Sequence, residues 1–476
     1  MQKLNRRGFA RSLAAGTAGA LAAQGTAGQR PNFLFFIADD LTYRAIHTLN
    51  NPEVQTPNLD RLVNAGCTFT HCCHQGSSVP AVCVPSRTRL NTGLTAFHAE
   101  QRVDDVPTWG QTLGNAGYET HIVGKWHLDP TVLQRSFQGM GPIAPGMFPS
   151  TPDAYDRPRP GNHWIPWNTA LKGHWLHTGL WLNRPADTIE HSSVAWASHA
   201  VDFLANGAAR RDKPFFLYIG FNAPHDPRQS PKEFVDLYPA SKIEIPPNYL
   251  PEHPFDQGDH RVRDELLAPF PRTREAVQTH RSEYYAIITH MDRQLGRVLA
   301  ALDRSGNAAN TYVIVTADHG LAVGQHGLMG KQNMYDHSIR MPLMISGPGI
   351  APGRRVEELV YQHSLFPTTC ELAGVPIPGT VEFPSLADLV RGSSASKHDS
   401  IFCFYRQFQR AVRTKTHKLI VYPHARITQL FDLTSDPWEI HNLAEDPRYA
   451  SLRKDLLHRL KRLQQELDDP LDLGIT

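Results

Sequence analysis

Short apolar runs that end abruptly in acids, histidines or lysine constrain this chain more than any other feature. Phe33-Leu-Phe-Phe-Ile-Ala38 leads into Asp39-Asp40, and Thr120-His-Ile-Val123 into Gly124-Lys125-Trp126-His127. Phe215–Gly220 leads into Pro224-His225-Asp226, and Tyr312–Thr316 into Asp318-His319-Gly320. Continuous rather than alternating apolar character predicts strands covered on both faces. Helical signals fill the spaces between them. Thr56-Pro57 reads as an N-cap followed by a first-turn proline, with Gly66 as the stop. Over 283–303, Tyr284, Ile288, Met291, Leu295, Val298 and Leu302 form one apolar stripe that ends at Gly306. The expected fold is α/β, a large, mostly parallel central sheet sandwiched by helices. From about residue 355 the texture changes to short hairpin-linked strands and a closing helix over 451–467. This predicts a smaller C-terminal α+β subdomain. The expected division is a large α/β domain over 29–365 and a subdomain over 366–476, with a soft boundary.

Ligands of open α/β sheets sit beyond the carboxyl ends of the strands, so four strands are expected to aim polar groups at one rim. Adjacent carboxylates such as Asp39 and Asp40 repel unless a cation lies between them. With Asp318 and His319 they make a donor set suited to a hard divalent ion, calcium or magnesium. The sharpest local motif is Cys83-Val-Pro-Ser-Arg87. Pro85 near a helix start and Gly93 past its end place Cys83 at the helix N-terminus, where backbone N–H groups favour an anion. Arg87, one turn on, can fork two hydrogen bonds to an oxyanion.

The chain has 476 residues, 41% of them hydrophobic, which suffices for a large core. Charged residues make up 20% without a long like-charge block, which argues against a disordered chain. The formal charge of +2, with no basic stripe, gives no reason to expect nucleic acid as a partner. Residues 1–28 carry Lys3, Arg6, Arg7 and Arg11 and no acid, then an Ala- and Gly-rich apolar stretch. Arg6-Arg7-Gly8-Phe9 resembles a twin-arginine export signal, so a periplasmic or secreted protein is expected. Its removal takes the charge from +2 to −2. No apolar run reaches the roughly 18 residues of a membrane helix, so no span is expected in the mature chain. The six cysteines, at 67, 72, 73, 83, 370 and 403, have no metal-finger spacing, and their pairing is open.

Cys83-Val84-Pro85-Ser86-Arg87 followed by Thr92-Gly93 resembles the C-x-P-S-R motif of type I sulfatases in the alkaline phosphatase superfamily. The resemblance runs through Asp39-Asp40, Thr56-Pro-Asn-Leu-Asp60, Gly124-Lys-Trp-His127, Ala223-Pro-His225 and Thr316-Ala-Asp-His-Gly320. It continues through Gly330-Lys331, Tyr335-Asp-His-Ser338, Arg340-Met-Pro342 and Leu430-Phe-Asp-Leu433. It implies that a separate formylglycine-generating enzyme oxidises Cys83 before folding. It implies a metal, calcium or else magnesium, on Asp39, Asp40, Asp318 and His319. Arg87, Lys125 and His127 would fix the hydroxyls of the hydrated aldehyde, and His225 and Lys331 would hold the sulfate and serve the leaving group. The sequence departs from the usual family pattern at Arg89, Asn91 and Leu94, none of them in a chemical role.

The expected activity is sulfate ester hydrolysis. The substrate expectation, a carbohydrate sulfate, rests on Trp164, Trp167, Trp175 and Trp181, His163, His174 and His177, with Arg157, Arg159 and Lys172 nearby. The rival readings are a phosphonate monoester or phosphodiester hydrolase of the same superfamily and a non-catalytic binding relative.

Overall fold

The computed structural model describes residues 30–144, 146, 152–167, 181–183, 189–207, 213–392 and 397–474. The export segment and Lys172, His174, Trp175 and His177 lie outside the described residues. An eight-stranded sheet runs in the order β11-β2-β10-β9-β1-β8-β4-β5. Its strands are β1 (Asn32–Ala38), β2 (Cys67–Cys73), β4 (Glu119–Lys125), β5 (Gly139–Ala144), β8 (Phe215–Gly220), β9 (Thr311–Ala317), β10 (Arg340–Ser346) and β11 (Arg354–Tyr361). Only β10 runs antiparallel to its neighbours. Every residue of β1, β8 and β9 is buried, as their unbroken apolar runs predict. Helices Pro57–Ala65, Ser192–Asp202 and Arg274–Arg304 pack together, as do Cys83–Thr92, Trp109–Asn115 and Leu365–Leu372. Among the described residues no helix is long and apolar enough to cross a membrane.

The long helix starts nine residues before the stripe read from sequence. Thr273 caps it by accepting from the Ala276 N–H at 3.0 Å. At the helix Pro57–Ala65 the cap comes from elsewhere. The Asp292 carboxylate accepts from the Asn58 and Leu59 N–H groups at 3.1 and 2.7 Å. Thr56 instead receives the His47 N–H at 2.9 Å. A capping group supplied by tertiary structure leaves no local sequence signal.

A second sheet, β15-β14-β13-β12-β3, joins the antiparallel strands β12 (Ile401–Tyr405), β13 (Gln409–Arg413), β14 (His417–Tyr422) and β15 (Ile427–Asp432) to β3 (Gly76–Ser77). The helix Ala450–Glu466 packs on β13 and β14. β3 lies just before the Cys83 helix and pairs in parallel with β12, Gly76 opposite Phe404. The smaller sheet is therefore stitched to the segment that carries Cys83.

Candidate active site

The register of the parallel strands assembles the rim. Ala38 lies opposite Ala317, so Asp39 and Asp318 leave adjacent strands side by side. β8 lies between β1 and β4, and the segment that follows it brings His225 to the same rim, beside Asp40. Backbones crowd here: a Cβ on Gly124 would lie 2.0 Å from the Gly220 carbonyl oxygen. Asp40 and His127 both sit in the left-handed region, at φ +73° and +65°, where non-glycine residues carry strain. The Tyr284 hydroxyl holds this turn, donating to the Asp40 carbonyl at 2.6 Å and accepting from the Thr42 N–H at 3.1 Å. Cys83 begins the helix Cys83–Thr92, and Gly93 ends it at φ +69°. Ser86 fixes that helix by donating to the Asp318 carbonyl at 2.7 Å.

Three carboxylates face three cations, all nearly or fully buried. Lys125 pairs with Asp39, Lys331 with Asp40 at 2.7 Å, and Arg87 with Asp318 at 2.9 Å. His319 Nδ1 lies 3.1 Å from Asp40, and its Nε2 3.5 Å from Asp318 and 4.0 Å from Asp39. His225 Nδ1 is 2.8 Å from the Asp226 carbonyl, while Nε2 faces Asp40 at 3.9 Å and Arg263 at 3.5 Å. Every sequence-predicted site residue is therefore at one rim, with His127, half-buried, contacting the Cys83 sulfur.

The field inside the rim orders the charges. Burial pushes the Cys83 thiol up, but Lys125 and Lys331 outweigh it and hold the thiol well below its usual range. Burial raises Asp40 despite Lys331, whereas Asp318 stays low because His319 and Arg87 overcome burial. His225 is raised: burial and Lys331 oppose the proton, but Asp40, Asp226 and Asp39 favour it. His319, with Asp318 and Asp40 beside it, reaches about 9 against burial.

The donor set fits a metal. Asp39 Oδ1, Asp40 Oδ2 and His319 Nε2 are buried atoms without a hydrogen-bond partner in the protein. Asp39, Cys83, Asp318 and His319 offer ligand atoms within 4.8 Å of one another. Buried polar atoms left unsatisfied by protein point to an ion or water.

A supporting shell gave little sequence signal. The Glu265 carboxylate accepts the Met329 and Gly330 N–H groups, each at 2.8 Å, and pairs with Arg272, fixing the loop that carries Lys331. Arg263 joins Asp226 at 3.1 Å to Asp264 at 2.6 Å beside His225. The acid doublet Asp264-Glu265 was the available clue, but it follows no apolar strand.

The aromatic segment divides. Trp181 is buried and donates to Gln229 at 2.8 Å, and Arg157 is buried in an ion pair with Glu283 at 2.6 Å. Arg157, Arg159 and Trp164 line a cleft of about 450 Å³ with Tyr238 and Glu283. Trp167 is exposed under the Lys232 ammonium, and His163 is exposed.

A buried rim of matched acids and cations, bearing a cysteine and a divalent-ion donor set, suits hydrolysis of esters of tetrahedral oxyanions. The family model described as Sulfatase matches residues 31–375, and one described as N-sulphoglucosamine sulphohydrolase, C-terminal, matches 324–466. The chain belongs to the type I sulfatase family of the alkaline phosphatase superfamily and is a sulfatase. It is 28% identical to an arylsulfatase of Clostridium perfringens over 92% of this chain and 96% of the relative. It is 31% identical to an iduronate 2-sulfatase of Mus musculus over 79% and 75% of the two chains. A protein solved in complex with its substrate D-glucosamine-2-N,6-O-disulfate shares the fold, with a TM-score of 0.72, 21% identity and coverage of 94% and 100%.

Proposed function

We propose that this protein hydrolyses a sulfate ester on a carbohydrate, with Cys83 converted to formylglycine and one divalent ion, calcium, on Asp39, Asp40, Asp318 and His319. The observation that carries the reading is the set of partnerless carboxylate and imidazole atoms beside the Cys83 sulfur, among balanced buried cations. The hydrated aldehyde supplies two hydroxyls on one carbon, one to attack sulfur and one to release sulfate, and the metal supplies charge neutralisation at the sulfuryl oxygens. Lys125 and His127 hold the groups at position 83, and Arg87 anchors Asp318 beneath them. Lys331 faces the sulfuryl oxygens and stabilises charge there. His225, its Nδ1 fixed by Asp226 and its proton favoured by three carboxylates, protonates the departing alcohol oxygen through Nε2. Three acids against three permanent cations make the rim close to neutral, so it accepts a divalent cation together with a sulfate ester without a large excess of charge.

The carbohydrate assignment is supported by the names of two of these relatives. The test is sulfate release from sulfated mono- and oligosaccharides beside matched aryl sulfates and phosphonate monoesters. Turnover of phosphonates above sulfates refutes the sulfate reading, and turnover of aryl esters alone refutes the sugar. Mass spectrometry of the Cys83 peptide should show the aldehyde, and Cys83→Ala should abolish hydrolysis. An unmodified thiol in active enzyme overturns the nucleophile. Export to the periplasm or medium belongs to the same proposal. A cytoplasmic chain retaining residues 1–28 in cell fractions overturns it.

A further inference from the structure

Arg89 and its surroundings take no part in the chemistry above. Arg89 departs from the small or apolar residues usual at this point of the motif, and it is fully buried. One of its N–H groups donates to the Gly76 carbonyl at 2.6 Å. Its Nε and Nη2 have no hydrogen-bond partner. The acid paired with it is Glu100, 3.8 Å from Nη2, beyond hydrogen-bond reach. That carboxylate is part-exposed and already receives the Ser78 hydroxyl at 2.5 Å.

Two neighbours of Arg89 are also unsatisfied: Gln75, which precedes the Gly76 that accepts its hydrogen bond, and His363, which feels its charge. Gln75, 1% exposed, has neither amide atom in a hydrogen bond of ordinary geometry, although the Tyr361 hydroxyl lies beside it. His363, fully buried near Phe383, has two ring nitrogens without partners. His74 is different: its Nδ1 accepts the Gly76 N–H at 2.8 Å, and Nε2 meets the Ser338 carbonyl at 3.2 Å. Burial lowers both imidazoles well below their usual range, helped by His319 and Arg89 at His74 and by Arg89 at His363. Burial pushes Arg89 down to about 10, still charged at neutral pH.

A buried guanidinium that lacks a carboxylate at hydrogen-bond distance calls for another anion. The donors here are two Arg89 N–H sites, the Gln75 amide and one N–H of neutral His363. They outnumber the unpartnered acceptors, Gln75 Oε1 and the second His363 nitrogen. We propose that Arg89, Gln75 and His363 form an internal site for a small monovalent anion, of halide type, beneath the helix that carries Cys83. With lining side chains at most 1% exposed, the site suits an ion that can shed its water rather than an organic acid.

The test uses the intact chain. Crystals soaked in bromide should show anomalous density within hydrogen-bond distance of Arg89. Melting in bromide against gluconate at constant ionic strength should show a saturable rise for the wild type. Arg89→Met should flatten that rise, and Glu100→Gln, which leaves the cation without its distant acid, should move saturation to lower bromide. Water without an anomalous peak at Arg89 overturns the site, as does direct Glu100 pairing there. Identical bromide responses in the wild type and Glu100→Gln also overturn it, including in the event that Arg89→Met does not fold.

Discussion

Two buried ion clusters in this molecule have similar composition and different purposes. Where β10 meets the second sheet, Arg413 grips both Asp336 oxygens at 3.0 Å, and Lys418 reaches Asp336 at 2.6 Å and Glu439 at 2.7 Å. The Met334 carbonyl accepts a further Lys418 bond at 3.1 Å, and the Asp336 N–H donates to Glu439 at 2.7 Å. Each of these charged side chains has close partners. At the catalytic rim, by contrast, Asp39 Oδ1, Asp40 Oδ2, His319 Nε2 and Arg87 Nη2 have none. Buried charge alone does not distinguish an active centre from a structural brace. Incomplete satisfaction does, because folding gains nothing from it and ligand binding can.

The sharpest way to break this contrast is a pair of neutralisations. Asp40→Asn should lower sulfate hydrolysis by about 10²-fold or more while moving the melting temperature of the metal-free protein little, because burial already raises Asp40. Asp336→Asn should leave turnover per folded molecule unchanged and cost about 3–5 kcal/mol in denaturant unfolding, since it strands Arg413. Equal stability losses at both sites would erase the distinction.

Chelation follows in size. EDTA should abolish turnover, with calcium restoring it, and should lower the melting temperature of the wild type. The same treatment of Asp40→Asn should shift melting much less.

A third comparison concerns acid. His191 and His253 sit at about 4 and His71 and His326 at about 3, because burial disfavours their charged form. The unfolded chain binds these protons near the ordinary value of 6.5, so stability falls as pH drops from there toward 4. Unfolding titrations should show that loss. A flat profile would mean the imidazoles find partners on protonation. The smallest effect belongs to the shared cap: Asp292→Ala should cost about 1 kcal/mol through the helix Pro57–Ala65.

The rim was legible because strands covered on both faces announce themselves as unbroken apolar runs, and chemistry follows where they stop. That Asp39 and Asp318 share a site is expected from the donor set, but the adjacency of β1 and β9 that brings it about has no signal in the sequence. β2 gave no clear signal, its Thr68, Thr70 and His71 interrupting the run, and β3 is too short for any period. Arg157 and Trp181 read from sequence as sugar-binding candidates, whereas in the structure they pair inward with Glu283 and Gln229. Aromatic and cationic composition looks the same in a pocket wall and in packed structure. The Glu265 support of the Lys331 loop went unread because its partners are backbone N–H groups, which every sequence possesses.

The pairing of Gly76 with Phe404 also sets an order of events during synthesis. The ribosome releases the cysteine-bearing segment long before it makes the strand that closes over that segment's flank. Until the last quarter of the chain emerges, this edge cannot be sealed. Any reagent or enzyme that needs the Cys83 sulfur, 1% exposed once folded, has that interval in which to act.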